Sequence, residues 1–265
     1  MKFIIYGLTL LLLQSCSDYL EFSPYVIDVD RQDLTEKELV KISNKNTSSF
    51  FPFSFVVLSD THAYYRDLQD VIPYVNRYEN LSFVLIAGDL TDLGLLKEYE
   101  KGNDLFKKFK VPYMTVIGNH DALSNGKHIY REMYGEYNYS FEFNNVKFIF
   151  FNSNKQEFNE NVPDFDWLQN QLTDVAGFQH VIMMSHISIM NSIFSDEKRT
   201  RFFELVSNSD VSLVINGHGH NYEYHEFPRA DGGKTIYLIN GSVDKRVFNF
   251  VDVSANAVDV IKRSF

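Results

Sequence analysis

The chain has 265 residues, 45% of them hydrophobic and 15% aromatic, with a formal net charge of −10 and a single cysteine. That supplies one well-packed domain and excludes a disulfide-stapled scaffold. An acidic chain also lacks the basic surface that binding of a nucleic-acid polymer needs, although a local metal cluster can still attract a small phosphate group.

Lys2 is followed by an uncharged apolar run over residues 3–13 and then by Gln14-Ser15-Cys16. Spanning a bilayer takes about 20 apolar residues, so a run this short suits the core of a signal peptide. Leu13-Gln14-Ser15-Cys16 resembles the lipobox of bacterial lipoproteins. The resemblance implies a signal peptide over 1–16 and a lipidated Cys16 that begins the mature chain. The protein is then exported and held on the periplasmic or cell-surface face of a bacterial membrane. Residues 17–49 read as a tether with a short helix over 35–42, where Thr35 and Glu38 stand at capping-box spacing. The folded domain is expected over 50–265.

From there strand and helix patterns alternate. An apolar, β-branched run over 53–59 ends in Asp60-Thr61-His62. A helical pattern over 68–78 is limited by Pro73. The run 83–87 ends in Gly88-Asp89-Leu90-Thr91-Asp92, and a helix follows over 95–109. A third strand over 113–117 ends in Gly118-Asn119-His120-Asp121. Three strand–helix units in succession predict a parallel sheet. Residues 139–143 and 146–151 alternate about Asn144-Asn145 and predict a hairpin. Helices over 166–172 and 198–206 are interleaved with strands over 180–184 and 211–215. Those strands end in Ser185-His186 and Asn216-Gly217-His218-Gly219-His220. Strands over 235–239, 248–253 and 257–261 complete a mixed α/β chain.

Five strand ends therefore carry metal-ligand residue types: Asp60 and His62, Asp89, Asn119 and His120, His186, and His218 and His220. Five of the eight histidines fall in these positions. In an open α/β sheet ligands collect beyond the carboxyl ends of the strands, so the tips are expected to converge. Imidazole and carboxylate together favour zinc, iron, manganese or a similar ion over the all-oxygen cage of calcium. These candidate ligands are too many for one tetrahedral ion and suit two ions sharing a carboxylate. Such pairs clamp the oxygens of a phosphoryl displacement. Two divalent ions also carry four positive charges against two carboxylates, which makes a cationic pocket on an acidic protein.

As a set, Asp60-x-His62, Gly88-Asp89-x-x-Asp92, Gly118-Asn119-His120-Asp121, His186 and Gly217-His218-x-His220 resemble the calcineurin-like metallophosphoesterase superfamily, in the style of class III cyclic-nucleotide phosphodiesterases. The resemblance implies an α/β fold of two packed mixed β-sheets flanked by helices, a four-layer αββα sandwich. It implies that Asp60, His62 and His220 hold one metal, that Asp89 bridges, and that Asn119, His186 and His218 hold the second. His120 becomes the general acid, oriented by Asp92, and a hydroxide shared by the ions (manganese, iron or zinc) the nucleophile. Two positions depart from relatives: His186 is followed by Ile187-Ser188-Ile189 instead of proline, which predicts a shifted loop with the ligand kept. Asp92 stands where the purple acid phosphatases carry tyrosine, which argues against the iron–tyrosinate branch.

The expected reaction is hydrolysis of a small phosphodiester outside the cytoplasm. The alternatives are a phosphomonoesterase that scavenges phosphate and a non-catalytic lipoprotein that binds phosphate or a partner. Lys127, His128 and Arg131 are weaker candidates for substrate contact, and surface positions are the simpler reading for them. Tyr64 and Tyr65 fit a pocket wall and core packing equally, and His180 and His225 read as structural.

Overall fold

The computed structural model describes residues 23–46, 49–158, 161–173 and 175–265. The apolar run, the lipobox and Cys16 lie outside the described residues. In chain order the elements are α1 (Leu34–Ser43), β1 (Phe53–Leu58), α2 (Tyr65–Val75), β2 (Leu81–Ile86), α3 (Leu96–Phe106), β3 (Tyr113–Thr115), α4 (Gly126–Tyr134), β4 (Tyr139–Phe143) and β5 (Val146–Phe150). The second half adds α5 (Lys155–Phe158), α6 (Phe165–Leu172), β6 (His180–Met184), α7 (Asp196–Ser207), β7 (Val211–Asn216), β8 (Glu223–Pro228), β9 (Lys234–Ile239), a 3₁₀ turn (Val243–Lys245), β10 (Val247–Val253) and β11 (Val258–Ser264).

The strands form two mixed sheets, ordered β11-β10-β1-β2-β3 and β4-β5-β6-β7-β9-β8. In the first, β1, β2 and β3 run parallel while β10 and β11 are antiparallel. In the second, β5, β6, β7 and β9 run parallel, with antiparallel strands at both edges. Side chains alternate across a strand, so each central strand divides its apolar residues between two faces. Phe55 and Val57 of β1 join Phe83 and Leu85 of β2 in the layer between the sheets, against Phe148, Ile182 and Leu213. Val56 and Leu58 point the other way, onto α2, α3 and α4 through Leu68, Val71, Tyr99, Phe106 and Tyr130. On the far side Val181, Met183 and Val214 meet Leu168 of α6 and Phe202 of α7. The result is the α/β fold of two packed sheets flanked by helices that the resemblance implied.

Local chemistry sets the helix limits. Leu68, Val71, Ile72 and Val75 of α2 repeat at helical spacing and are buried, and the helix ends two residues after Pro73. Asp164 and Ser195 cap α6 and α7 by accepting the amides of Trp167 and Lys198. The expected capping box of α1 is not formed: its N-cap is Asp33, with no side-chain cap bond, while Thr35 and Glu38 are buried and Glu38 pairs with Lys41. Part of the stretch read as a tether is packed, from Arg31 to Ile42, while residues 23–28 are exposed. Arg31 donates to the Glu100 carbonyl and to Asp104, each at 2.8 Å, and Leu34 and Ile42 enter the two cores. Packing thus begins upstream of the start near Phe50 that the sequence suggested. The edge strand β8 carries no apolar alternation and was not expected; it is fixed by pairing with β9, Tyr224 opposite Leu238.

Candidate metal centre

All the metal-ligand candidates stand at or just beyond the carboxyl ends of β1, β2, β3, β6 and β7, and the two sheets bring these ends together. Asp60, His62, Asp89 and His220 form one group of side chains, and Asp89, His186 and His218 a second, with ligand atoms inside each group within 4.8 Å of one another. Asp89 belongs to both. Its Oδ2 lies 3.5 Å from Nε2 of His62 and 3.1 Å from Nε2 of His186. Oδ1 of Asn119 lies 3.1 Å from Nε2 of His186 and 3.0 Å from Nδ1 of His218, which places it in the second group. His220 Nε2 lies 3.3 Å from Asp60 Oδ1.

The backbone is bent to this purpose. Asp60, His62, Asp89, His218 and His220 all have φ between 40° and 64°, the left-handed region that side chains other than glycine rarely enter. Each such residue costs about 1–3 kcal/mol, and strain of this kind concentrates at working sites. Two glycines allow the tips to crowd. A Cβ on Gly118 would collide with the backbone nitrogen and carboxylate of Asp89, and one on Gly217 with Ser59 and Asp60. Sequence reasoning missed the braces behind the ligands. Asp121 is fully buried and accepts from Thr91 N, Thr91 Oγ1 and Gly118 N at 2.9, 2.9 and 2.8 Å, tying the β2 tip to the β3 tip. Burial and the charge of Asp89 push its carboxyl up to about 7. Ser59 bonds the Asp60 carboxylate, and Ser242 donates to the Asp60 carbonyl. Asp121 was visible as the last residue of its motif; Ser242 had no sequence signal.

Protonation identifies what the cluster is built to hold. His186 Nδ1 donates to the Ala87 carbonyl at 2.7 Å, which leaves Nε2 as a lone pair. That lone pair faces Asp89 Oδ2 and Asn119 Oδ1, both acceptors. Asp89 Oδ2 and both ring nitrogens of His62 are buried without a hydrogen-bond partner, an arrangement native interiors seldom tolerate. A cation resolves it. With none, a proton must serve: burial pulls His186 down, but the Asp89 carboxylate lifts it to about 10. Burial alone would raise Asp89; His186, His62 and His120 instead hold it at about 2. Burial and the charge of His186 lower His218, while the hydrogen bond to Asp60 raises His220. The residues therefore fit two metal ions, with nitrogen and oxygen donors in each group.

His120 is half-buried and stands outside these two groups, in a third cluster with His62 and Asp92. Its backbone N–H donates to Asp89 Oδ1 at 2.9 Å, and its ring Nδ1 donates to the backbone carbonyl of Asp92 at 2.8 Å, which leaves Nε2 free. The Asp92 carboxylate, assigned to His120 by the resemblance, instead lies 3.0 Å from Nδ1 of His62. His186 keeps its place although Ile187-Ser188-Ile189 follows it; Ile187 N is held by Ser153 Oγ at 2.7 Å.

Residues 53–222 match the family described as calcineurin-like phosphoesterase. The chain belongs to this family. Its two groups of ligand residues suit the dinuclear metal centre of that family. No curated protein sequence matches the chain. Among solved structures it is similar to a purple acid phosphatase from yellow lupin, at 13% identity and a TM-score of 0.65, over 82% of this chain and 52% of that one. A Plasmodium protein described as GAP50, the anchor in the inner membrane complex, aligns at 17% identity and 0.60, over 80% and 84%. A 5'-nucleotidase precursor from Thermus thermophilus aligns at 13% and 0.54, over 81% and 55%. The chain spans about half the length of the lupin and Thermus proteins, and at these identities the likeness is one of fold.

The weaker candidates lie elsewhere or serve other contacts. Lys127 donates to the Glu157 carbonyl and Arg131 pairs with Glu136 at 2.8 Å, while His128 is exposed on α4. Tyr64 stands edge-on to His62 with ring centroids 5.7 Å apart, beside the cluster. The ring of Tyr65 lies 3.8 Å from the Lys101 ammonium instead. His180 accepts from Ser212 and donates to the Ser254 carbonyl, and His225 pairs with Glu223 on the exposed β8.

Proposed function

We propose that this phosphoesterase hydrolyses a small phosphodiester, of nucleotide-like size, with His120 as general acid, and that it works outside the cytoplasm on a lipid anchor at Cys16. The observation that carries the diester reading is a groove of about 260 Å³ that opens beside the second metal group. His218 and its flanking glycines form one wall, Ser188, Met190 and Asn191 the next, and Glu223, His225 and Ile239 close it. A phosphodiester carries a second organic substituent, and a cleft leading away from the ligand cluster gives that substituent a place. Similarity to class III cyclic-nucleotide phosphodiesterases supports the same substrate class, and export argues against cytosolic cyclic AMP itself.

Two divalent ions, when bound, supply Lewis acidity and a water of lowered pKa. Manganese, iron and zinc all suit the nitrogen and oxygen donors. The chain's own residues supply the remainder. Asp60, His62, Asp89 and His220 on one side, and Asp89, Asn119, His186 and His218 on the other, fix where charge accumulates. His120 offers Nε2 to the leaving oxygen because Nδ1 is committed to the Asp92 carbonyl, so a proton delivered to substrate leaves from a defined atom. The cationic cluster attracts the substrate despite the chain's net charge of −10.

The test is hydrolysis of matched aryl phosphodiester and monoester substrates by metal-stripped protein with manganese, zinc, iron(II) or magnesium added back. A diester preference restored by one ion is expected; a monoester preference would replace this reading with the phosphatase. For the anchor, Cys16→Ala is expected to shift the protein out of the membrane fraction or block its maturation, and unchanged fractionation would refute it.

A further inference from the structure

We propose that the carboxylate of Asp92 is a positioning residue for the metal ligand His62, while the backbone carbonyl of the same residue orients His120. His62 is only 4% exposed and turns its two nitrogens in opposite directions. Nε2 faces Asp89 inside the group that also contains Asp60 and His220. Nδ1 points away from that group and lies 3.0 Å from Asp92 Oδ1, at ion-pair distance but out of line for a full hydrogen bond. An imidazole that gives Nε2 to a cation carries its proton on Nδ1, and that N–H needs an acceptor to hold the ring in orientation. His186 in the second group has such an acceptor, the Ala87 carbonyl at 2.7 Å. For His62 the acceptor within reach is the Asp92 carboxylate. The other rings around it are Tyr64 and His120, edge-on at centroid separations of 5.7 and 4.7 Å, and His220, tilted at 5.5 Å.

His120 does not compete for the carboxylate, because its Nδ1 already donates to the Asp92 carbonyl at 2.8 Å. One residue thus serves both histidines through different atoms. Only the side-chain contact is open to substitution without moving the main chain. The Asp92 side chain is 46% exposed, so truncating it leaves no buried cavity.

The inference rests on the metal-dependent reading of the centre, and its test reads metal binding directly. Cobalt(II) titration of stripped wild type, Asp92→Ala and Asp92→Asn, followed by calorimetry and visible absorption, is the experiment. Asp92→Ala is expected to weaken one of two sites by roughly 10–100-fold, with an altered cobalt spectrum for that ion and the other site retained. Asp92→Asn keeps a side-chain oxygen as acceptor and is expected to recover most of the affinity. In a His62→Ala background the Asp92→Ala change should add less than about twofold, because the partner it acts through is gone. Unchanged cobalt affinities and spectrum in Asp92→Ala, or a full additive loss in the His62→Ala background, would overturn the proposal. Inactive wild type that still binds two ions would refute the hydrolysis reading and leave this one standing.

Discussion

The strand β6 has a histidine at each end, and the two live in opposite worlds. His180, its first residue, meets one donor and one acceptor, Ser212 Oγ at 2.8 Å and the Ser254 carbonyl at 2.7 Å. A neutral imidazole is satisfied by that pair, and burial lowers its pKa. His186, two residues past the other end, meets acceptors on all sides and is lifted to about 10. Burial works against charge at both positions. What differs is the company: at the amino end of β6 His180 meets one donor and one acceptor, whereas at the carboxyl end acceptors are aimed at one another. Burial of a histidine therefore says little about its role, and the balance of donors and acceptors around it says much.

Substitutions should divide along the same line. The largest effect is expected for Asp89→Asn, which removes the carboxylate common to both groups; gel-filtered protein should lose both ions and its turnover, measured by metal analysis beside the hydrolysis assay. Retention of two ions would break the bridging role. His120→Ala should keep both ions while turnover falls roughly 10²–10⁴-fold, the usual contribution of a general acid. A parallel fall in metal content would move His120 into the ligand set. Gly118→Ala forces a methyl group against Asp89, with an expected cost of about 1–3 kcal/mol in denaturant unfolding and weaker metal retention. At the quiet end of β6, His180→Asn should cost about 1–3 kcal/mol through the buried hydrogen bonds it disturbs, with metal content and turnover unchanged.

That last variant also carries a pH signature. His180 has a folded-state pKa below its ordinary 6.5, so as pH falls the unfolded chain takes up this proton before the folded one does. Its contribution to stability is present above pH 6.5 and is lost progressively below it. Thermal melts of wild type and His180→Asn, compared between about pH 7.5 and 5, should show a shallower decline in the variant.

Much of this arrangement could be read from the chain before any coordinates. Buried parallel strands leave continuous apolar runs, and each of β1, β2, β3, β6 and β7 breaks abruptly into Asp, Asn, His and Gly. The runs place the sheets, and the breaks name the residues at the tips. Features set by distant partners escaped. The strand β8 is a strand because β9 lies beside it, and its own residues, Glu223-Tyr224-His225-Glu226, are exposed and unpatterned. Thr35 and Glu38 have the spacing of a cap, yet burial against the domain claims both side chains. The division of Asp92 between two histidines was equally out of reach, because spacing identifies a residue and not which of its oxygens is used.

The place of β10 in the first sheet has a consequence for the order of events in folding. β1 pairs with β2 through the α2 crossover, but its other edge is closed by β10, with Phe53 opposite Val253. The same late segment reaches the site itself: Ser242 bonds the Asp60 carbonyl, and Val243 N donates to the Ser59 carbonyl at 3.2 Å. Contacts so remote in sequence form slowly. The first ligand loop therefore has its full set of hydrogen bonds only when the last strands are in place, and mature metal affinity is a property of the finished chain.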